Sequence, residues 1–113
     1  MQGGYVPEAG DIVWMNFTPQ SGHEQASRRP AVVLSPKTYN SRAGLLVCAP
    51  VTNQIKGYPF EVKLTGTGAT GAVLADQVRS LDWQSRQAER KGSARPEEMA
   101  EIKAKVGALL GMG

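Results

Sequence analysis

Gly22-His23-Glu24-Gln25-Ala26-Ser27-Arg28-Arg29-Pro30-Ala31-Val32-Val33-Leu34 changes character at its proline. Upstream, glycine, serine and charged residues without a hydrophobic period read as a loop. Downstream, an unbroken apolar run reads as a buried strand. Pro30 removes a backbone donor and biases Arg29 toward an extended backbone. Arg29 is therefore expected where an adaptable loop meets a rigid sheet, a place from which a guanidinium can be held still while its neighbours adjust to a ligand.

Outward from this junction the chain reads as short strands followed by one helix. Asp11 to Phe17 is a first strand, with Gly10 before it and Thr18-Pro19-Gln20-Ser21-Gly22 as breakers after it. Ala31 to Ser35 is the second, stopped by Pro36. Leu45 to Val51 is the third, and Pro50 near its end predicts a bulge or an edge position. Pro59 to Leu64 alternates apolar and charged residues, as a strand with one wet face should. Gly66, Gly68 and Gly71 make a turn-rich connection into Ala72 to Val78. Ser80 to Trp83 is expected as a single helical turn and Gln84 to Lys91 as a weaker last strand. Pro96 suits a first helical position, Glu97, Glu98 and Glu101 complement the helix's positive pole, and Met99, Ile102, Val106, Leu109 and Leu110 form an apolar stripe that ends at Gly111. The expectation is a mainly β (α+β) chain: a small, strongly twisted antiparallel barrel with a C-terminal helix.

Composition narrows the chemistry. A chain of 113 residues is expected to form one domain, residues 1–113, burying about two thirds of its unfolded surface. No apolar run approaches the ~18 residues of a membrane span, and Met1 to Tyr5 lacks the basic and apolar regions of a signal peptide, so a cytoplasmic protein is the expectation. Cys48, the only cysteine, lies in the apolar run Leu45 to Ala49 and reads as buried filler. One cysteine and one histidine cannot build a zinc site of their own. Gly66-Thr67-Gly68-Ala69-Thr70-Gly71 leads into a strand, so a hairpin turn is favoured over a phosphate loop.

The net charge of +3 is unevenly spread. Residues 1–24 hold Glu8, Asp11 and Glu24 without a lysine or arginine, whereas residues 25–60 hold Arg28, Arg29, Lys37, Arg42 and Lys56 without an acid. Arg79, Arg86, Arg90, Lys91 and Arg95 follow against only Asp82 and Glu89. Such asymmetry suits either a polyanion surface or an ordinary solvated basic face, and charge alone does not decide. The polar groups at strand ends and in loops are His23, Glu24, Arg29, Thr52, Lys56, Asp76 and Gln77. Asp76-Gln77 interrupts an apolar run and must be hydrogen-bonded or face a cleft.

Gly10-Asp11-Ile12-Val13, Gly22-His23-Glu24-Gln25, Arg29 to Ser35, Pro50-Val51-Thr52, Lys56-Gly57-Tyr58-Pro59-Phe60-Glu61-Val62 and Leu74 to Arg79 occur in an order that resembles the MazF/PemK toxins. The resemblance covers nearly the whole chain. It implies a homodimeric SH3-like barrel that acts as a sequence-specific, metal-independent, cofactor-free endoribonuclease on single-stranded RNA, restrained by a MazE-type antitoxin with an acidic flexible tail. Carried over from the family, Arg29 and Thr52 are catalytic, with a 2′,3′-cyclic phosphate and a 5′-hydroxyl as products. An arginine, with a pKa above ~12, is a poor base at neutral pH. In the PemK branch a histidine, an arginine and an aspartate are assigned that work. His23 and Asp76 match two of those positions, and Leu74 stands where that arginine would be.

His23 is either a proton acceptor or a residue that stacks on a base. Glu24 either positions Arg29, contacts a base or forms a loop ion pair. Lys56 follows the phosphate backbone or is a solvated loop lysine. Gln77 reads a base edge or pairs with Asp76, and Asn40 either binds RNA or is structural. The alternative function is a non-catalytic SH3-like module, either binding nucleic acid or resembling the gyrase inhibitors. Those inhibitors use a tryptophan near the C-terminus, which Leu109-Leu110-Gly111-Met112-Gly113 lacks.

Overall fold

The computed structural model describes residues 4–17, 28–66 and 68–112. Among these, β1 (Asp11–Asn16), β2 (Arg28–Val33), β3 (Leu45–Thr52), β4 (Glu61–Leu64), β5 (Gly71–Leu74), β6 (Arg79–Asp82) and β7 (Glu89–Ser93) form one antiparallel sheet, with helices α1 (Lys37–Ala43) and α2 (Pro96–Leu109). The order across the sheet is β4-β5-β3-β2-β1-β7, and β6 also pairs with β3. None of the described helices is long and apolar enough to cross a membrane.

Side chains alternate along each central strand, and both faces are apolar. Ile12, Val32, Ala49 and Val51 join Val62, Leu64, Val73 and Ile102 in one cluster. Val13, Ala31, Val33 and Cys48 join Met15, Phe17, Leu81 and Trp83 in another on the opposite face. Ile12 and Leu64 belong to strands four steps apart in the sheet, a span of about 19 Å if it were flat. Their sharing a cluster shows that the sheet curls into a half-barrel. Helix α2 closes the concave side through Ile102, which is fully buried, and through Glu98. The Glu98 carboxylate accepts from the Arg95 N–H (2.8 Å), the Thr65 N–H (2.6 Å) and the Thr65 hydroxyl (2.9 Å).

The two ends of the strand order, β4 and β7, each meet a neighbour outside the ladder. Lys105 of α2 donates to the Glu61 carbonyl on β4 (3.0 Å). Beyond β7, Gly68 lies so close to Gly92 that a Cβ on it would stand 2.9 Å from the Gly92 Cα, and its φ of 105° also excludes ordinary residues.

Several expectations need correction. Residues 37–43 form α1, entered from Pro36 and ended by Gly44 at φ 71°. Ser80 to Trp83 is not a helical turn, since β6 pairs Leu81 with Leu46 and Arg79 with Cys48. The fifth strand stops at Leu74, where the Gln77 N–H turns back to the Leu74 carbonyl (3.0 Å), so Asp76 and Gln77 lie in a turn. The last strand begins at Glu89 rather than Gln84, because residues 83–87 form turns that include Gln87 at φ 55°. Pro50 is central, facing Ala31 across the β2–β3 ladder. It stands where β3 exchanges β6, paired through Cys48, for β5, paired from Val51, so its missing donor falls at the changeover.

Candidate active site

The two adjacent arginines at the start of β2 project to opposite faces. Arg28 is committed to the fold: it donates to Asn16 Oδ1 (3.1 Å) and to the carbonyls of Trp14 (3.1 Å) and Gln87 (3.0 Å), and pairs with Glu89 (3.4 Å). Arg29 is exposed, and its guanidinium lies 5.6 Å from the centroid of the Phe17 ring. The β2–β3 ladder sets Ala31 opposite Pro50. Continuing that register by two residues sets Arg29 opposite Thr52, on the face that carries Cys48 and Phe17.

Arg29 and Thr52 both border one cleft of about 790 Å³, which the opposite-face residues Trp14, Arg28 and Val51 also line, with Asn53, Gln54 and Thr70. Thr52 and Gln54 also line a smaller hollow of about 110 Å³ with Lys56, Tyr58 and Glu61, so the groove continues toward Lys56. Thr52 Oγ1 accepts from the Gln54 N–H (3.1 Å), which leaves its own hydroxyl proton to be donated into the groove. Gly71 makes room for this threonine, because a Cβ at that position would collide with the Thr52 carbonyl oxygen.

The loop between β3 and β4 is shaped by two carboxylates. Glu61 accepts from the N–H groups of Lys56 (2.9 Å) and Gly57 (2.7 Å), and Asp76 accepts from the Tyr58 hydroxyl (3.0 Å). Partial burial and that hydrogen bond raise the Tyr58 pKa above its ordinary value. Lys56 thus stands beside Thr52, and Asp76 reaches the groove wall through Tyr58. Gln77 is exposed in the turn after β5 and lines neither hollow. His23 and Glu24 lie outside the described residues.

Asn40 is not part of the groove. Its side chain is fully buried; it accepts from the Ser35 hydroxyl (2.6 Å) and donates to the carbonyls of Pro7 (2.9 Å) and Ser35 (3.0 Å). Its backbone carbonyl takes the indole N–H of Trp83 (2.9 Å), so this tryptophan is core. A fully buried amide with both of its N–H donors spent inside the protein cannot read a base. Cys48 is buried, and burial pushes its thiol up to about 12 against the pull of Arg79 and Arg86, which removes it as a nucleophile.

Charge separates this groove from a second cleft of about 870 Å³ beyond β7, lined by Tyr5, Trp83, Gln87 and Arg90. There the cations are paired: Arg90 with Asp11 (3.2 Å), and Lys91 with Glu89 (3.8 Å). Among the described residues no carboxylate pairs with Arg29, Arg79 or Lys56. Arg79 is a residue that sequence reasoning placed only in a basic group; its guanidinium lies 5.4 Å from the same Phe17 centroid. Phe17 and Glu61 read only as strand residues, and nothing short of the tertiary pairing could have brought them here.

Residues 8–110 match the family model described as PemK-like, MazF-like toxin of type II toxin-antitoxin system. The chain is 53% identical over 107 residues to the endoribonuclease toxin MazF of Escherichia coli K12, covering 95% of this chain and 96% of that one. It is 38% identical to the endoribonuclease toxin ChpB of the same strain, over 83% of this chain and 85% of that one. A MazE-MazF crystal structure from Deinococcus radiodurans superposes with a TM-score of 0.90 at 57% identity, covering 97% of this chain and all of the matched one. Matches of this extent over the whole curled sheet and its terminal helix leave one conclusion: the chain belongs to the PemK-like, MazF-like toxin family of type II toxin-antitoxin systems.

Proposed function

We infer that the groove shared by Arg29 and Thr52 is where this endoribonuclease toxin cleaves single-stranded RNA. The observation that carries the reading is that Arg29 of β2 and Thr52 of β3 fall on the same sheet face of neighbouring strands and border one cleft. In-line attack by the ribose 2′-oxygen forms a bond to phosphorus and breaks the bond to the 5′-oxygen, leaving a 2′,3′-cyclic phosphate and a 5′-hydroxyl. The negative charge that builds on the non-bridging oxygens needs fixed donors. Arg29 offers a planar fork for two of those oxygens, and Thr52 donates the hydroxyl proton that its Gln54 contact leaves unused.

Proton transfer falls to other groups. Asp76 is held against Tyr58, so its role is to fix the groove wall or to pass a proton through that phenol. His23, with a reference pKa near 6.5, is the proton acceptor in this scheme. Glu24 contacts the substrate or steadies Arg29 and Lys56 follows the backbone, whereas Gln77, outside both hollows, reads a base only where the RNA runs on past the turn after β5. The reaction needs no metal, because the arginine supplies the positive charge.

The curated relatives reported above are endoribonucleases, which sets aside a non-catalytic or gyrase-inhibiting module. An antitoxin partner is supported by the MazE-MazF complexes matched by this chain, and its acidic flexible tail would block the unpaired cations by occupation and charge. The protein acts as a homodimer in the cytoplasm, where its RNA substrate is. Leu109, Leu110 and Met112, exposed beside the end of α2, give it apolar surface to pair through.

The test is incubation of the purified protein with mixed-sequence RNA in EDTA, with the new ends mapped chemically. Cyclic phosphates at a short shared sequence, lost in Arg29→Met and Thr52→Val, are expected. RNA left intact, or cleaved equally by both variants, refutes the assignment.

A further inference from the structure

We propose that Arg79 is a second phosphodiester-binding residue, holding a phosphate next to the one gripped by Arg29, with the Phe17 ring as a platform common to both. The proposal rests on the reading that single-stranded RNA lies in the Arg29–Thr52 groove. The two guanidinium carbons stand 5.6 and 5.4 Å from one centroid, so their separation cannot exceed the sum of those distances. That is comparable to the Debye length of about 10 Å at 0.1 M salt, and their mutual repulsion is only partly screened.

Six of the other cations are neutralised or committed, and among the described residues Lys37, Arg42, Lys56, Lys63 and Lys103 have neither a carboxylate nor the Phe17 ring beside them. Arg28, Arg90, Lys91, Arg95 and Lys105 each have a carboxylate within 4 Å, and Arg86 donates to the carbonyls of Asn16 (3.0 Å) and Phe17 (2.6 Å). Among the described residues Arg29 and Arg79 have only the aromatic ring. A face of a phenyl ring attracts a cation weakly and fixes its position without cancelling its charge. Both arginines are exposed and share the sheet face of Thr52, Arg79 through its pairing with Cys48 in β6. A phosphodiester chain crossing that face meets two oriented forks in succession and relieves the repulsion between them.

The competing explanation is that Arg79 only covers Phe17, which is 5% exposed. Arg79→Met separates the two, because methionine keeps an apolar cover and removes the charge. The probe is an all-2′-deoxy single strand, which lacks the attacking hydroxyl and so reports binding alone, titrated at several salt concentrations. Arg79→Met is expected to weaken binding about tenfold near 0.1 M salt and to reduce the slope of log K against log salt by about 0.7. Arg79→Lys should restore most of that slope. With cleavable RNA, KM rises while kcat at saturation stays within about threefold.

Thermal unfolding of each variant is read beside the titration, and Arg79→Gln replaces the methionine variant if that one does not fold. An unchanged slope in a folded variant, while the parent binds, overturns the proposal and leaves the Arg29–Thr52 assignment standing. A parent that neither binds nor cleaves refutes the groove itself, and Arg79 with it.

Discussion

Gly71→Ala should disable the protein through a residue that never touches substrate. Gly71 has φ 116°, and a Cβ there would stand far inside van der Waals contact with the Thr52 carbonyl oxygen and 3.0 Å from its carbonyl carbon. Comfortable carbon-to-oxygen approach is about 3.3 Å or more, so the β3 and β5 backbones must part by about 1 Å. Left-handed backbone costs a non-glycine residue about 1–2 kcal/mol and crowding a further 1–3 kcal/mol. A loss of about 2–5 kcal/mol lowers Tm by about 8–20 °C in a chain of this size. The displaced residue is Thr52, and misplacing a reacting group by about 1 Å costs about 100-fold in rate.

Cleavage of a fluorogenic oligonucleotide, measured below both melting temperatures and at one protein concentration, should therefore show kcat down about 100-fold. Gly107→Ala is the control. No heavy atom stands within 4 Å of its would-be Cβ in α2, so it should gain about 0.5–1 kcal/mol and keep full activity. Parental Tm and kcat in Gly71→Ala would refute the claim that this close approach positions the threonine.

Three further outcomes can be checked. Burial alone would raise the Glu98 pKa, but the N–H groups of Arg95 and Thr65 and the Thr65 hydroxyl outweigh it and hold the group below its ordinary value. A depressed folded pKa means stability that is complete above about pH 4.3 and is lost as pH falls through the folded value, so Glu98→Gln should cost about 1–3 kcal/mol at neutral pH and flatten the acid limb of urea-derived stability. Glu61→Gln turns one of two acceptors into a donor and releases the Lys56–Gly57 loop; KM for RNA should rise about 3–10-fold with kcat near parental, and an unchanged KM would detach the loop from binding. Asn40→Ala strands the Ser35 hydroxyl and two buried carbonyls, which should lower stability by at least about 3 kcal/mol while kcat in the cold stays within about twofold. A large kcat loss in folded Asn40→Ala protein would return that residue to the substrate surface.

What the sequence revealed was whatever repeats on a local period. The apolar run after Pro30, the alternation of Pro59 to Leu64 and the stripe of α2 each declare themselves over a few residues. Helix α1 has no such stripe, because its only buried residue is Asn40, a polar one. Its signals were Pro36 before it and Gly44 after it. In β6 only Leu81 is buried, so period could not separate a strand from a helical turn. Asp76 and Gln77 continue an apolar run in sequence although the chain turns at Leu74. For the candidate site, the sequence offered the residue types of Arg29, Thr52 and Lys56, which the structure sets along neighbouring hollows. Its geometry was not legible, since the facing of Arg29 and Thr52, the Phe17 platform and the Glu61 clamp all depend on pairings between distant segments. Pro30 singled out Arg29 of the two neighbouring arginines, but that Arg28 is spent inside the fold shows only in its bonds to Asn16, Trp14 and Gln87.

The neighbours that β4 and β7 meet outside the ladder bear on whether copies of this chain join edge to edge. A sheet with bare borders invites identical neighbours to extend it, and growth then continues without limit. Here one border is touched by a lysine from the terminal helix and the other by a glycine turn lying against Gly92. Lys105 and the Gly68 turn are therefore the points at which a substitution would leave more of these two borders open to a second copy of the chain.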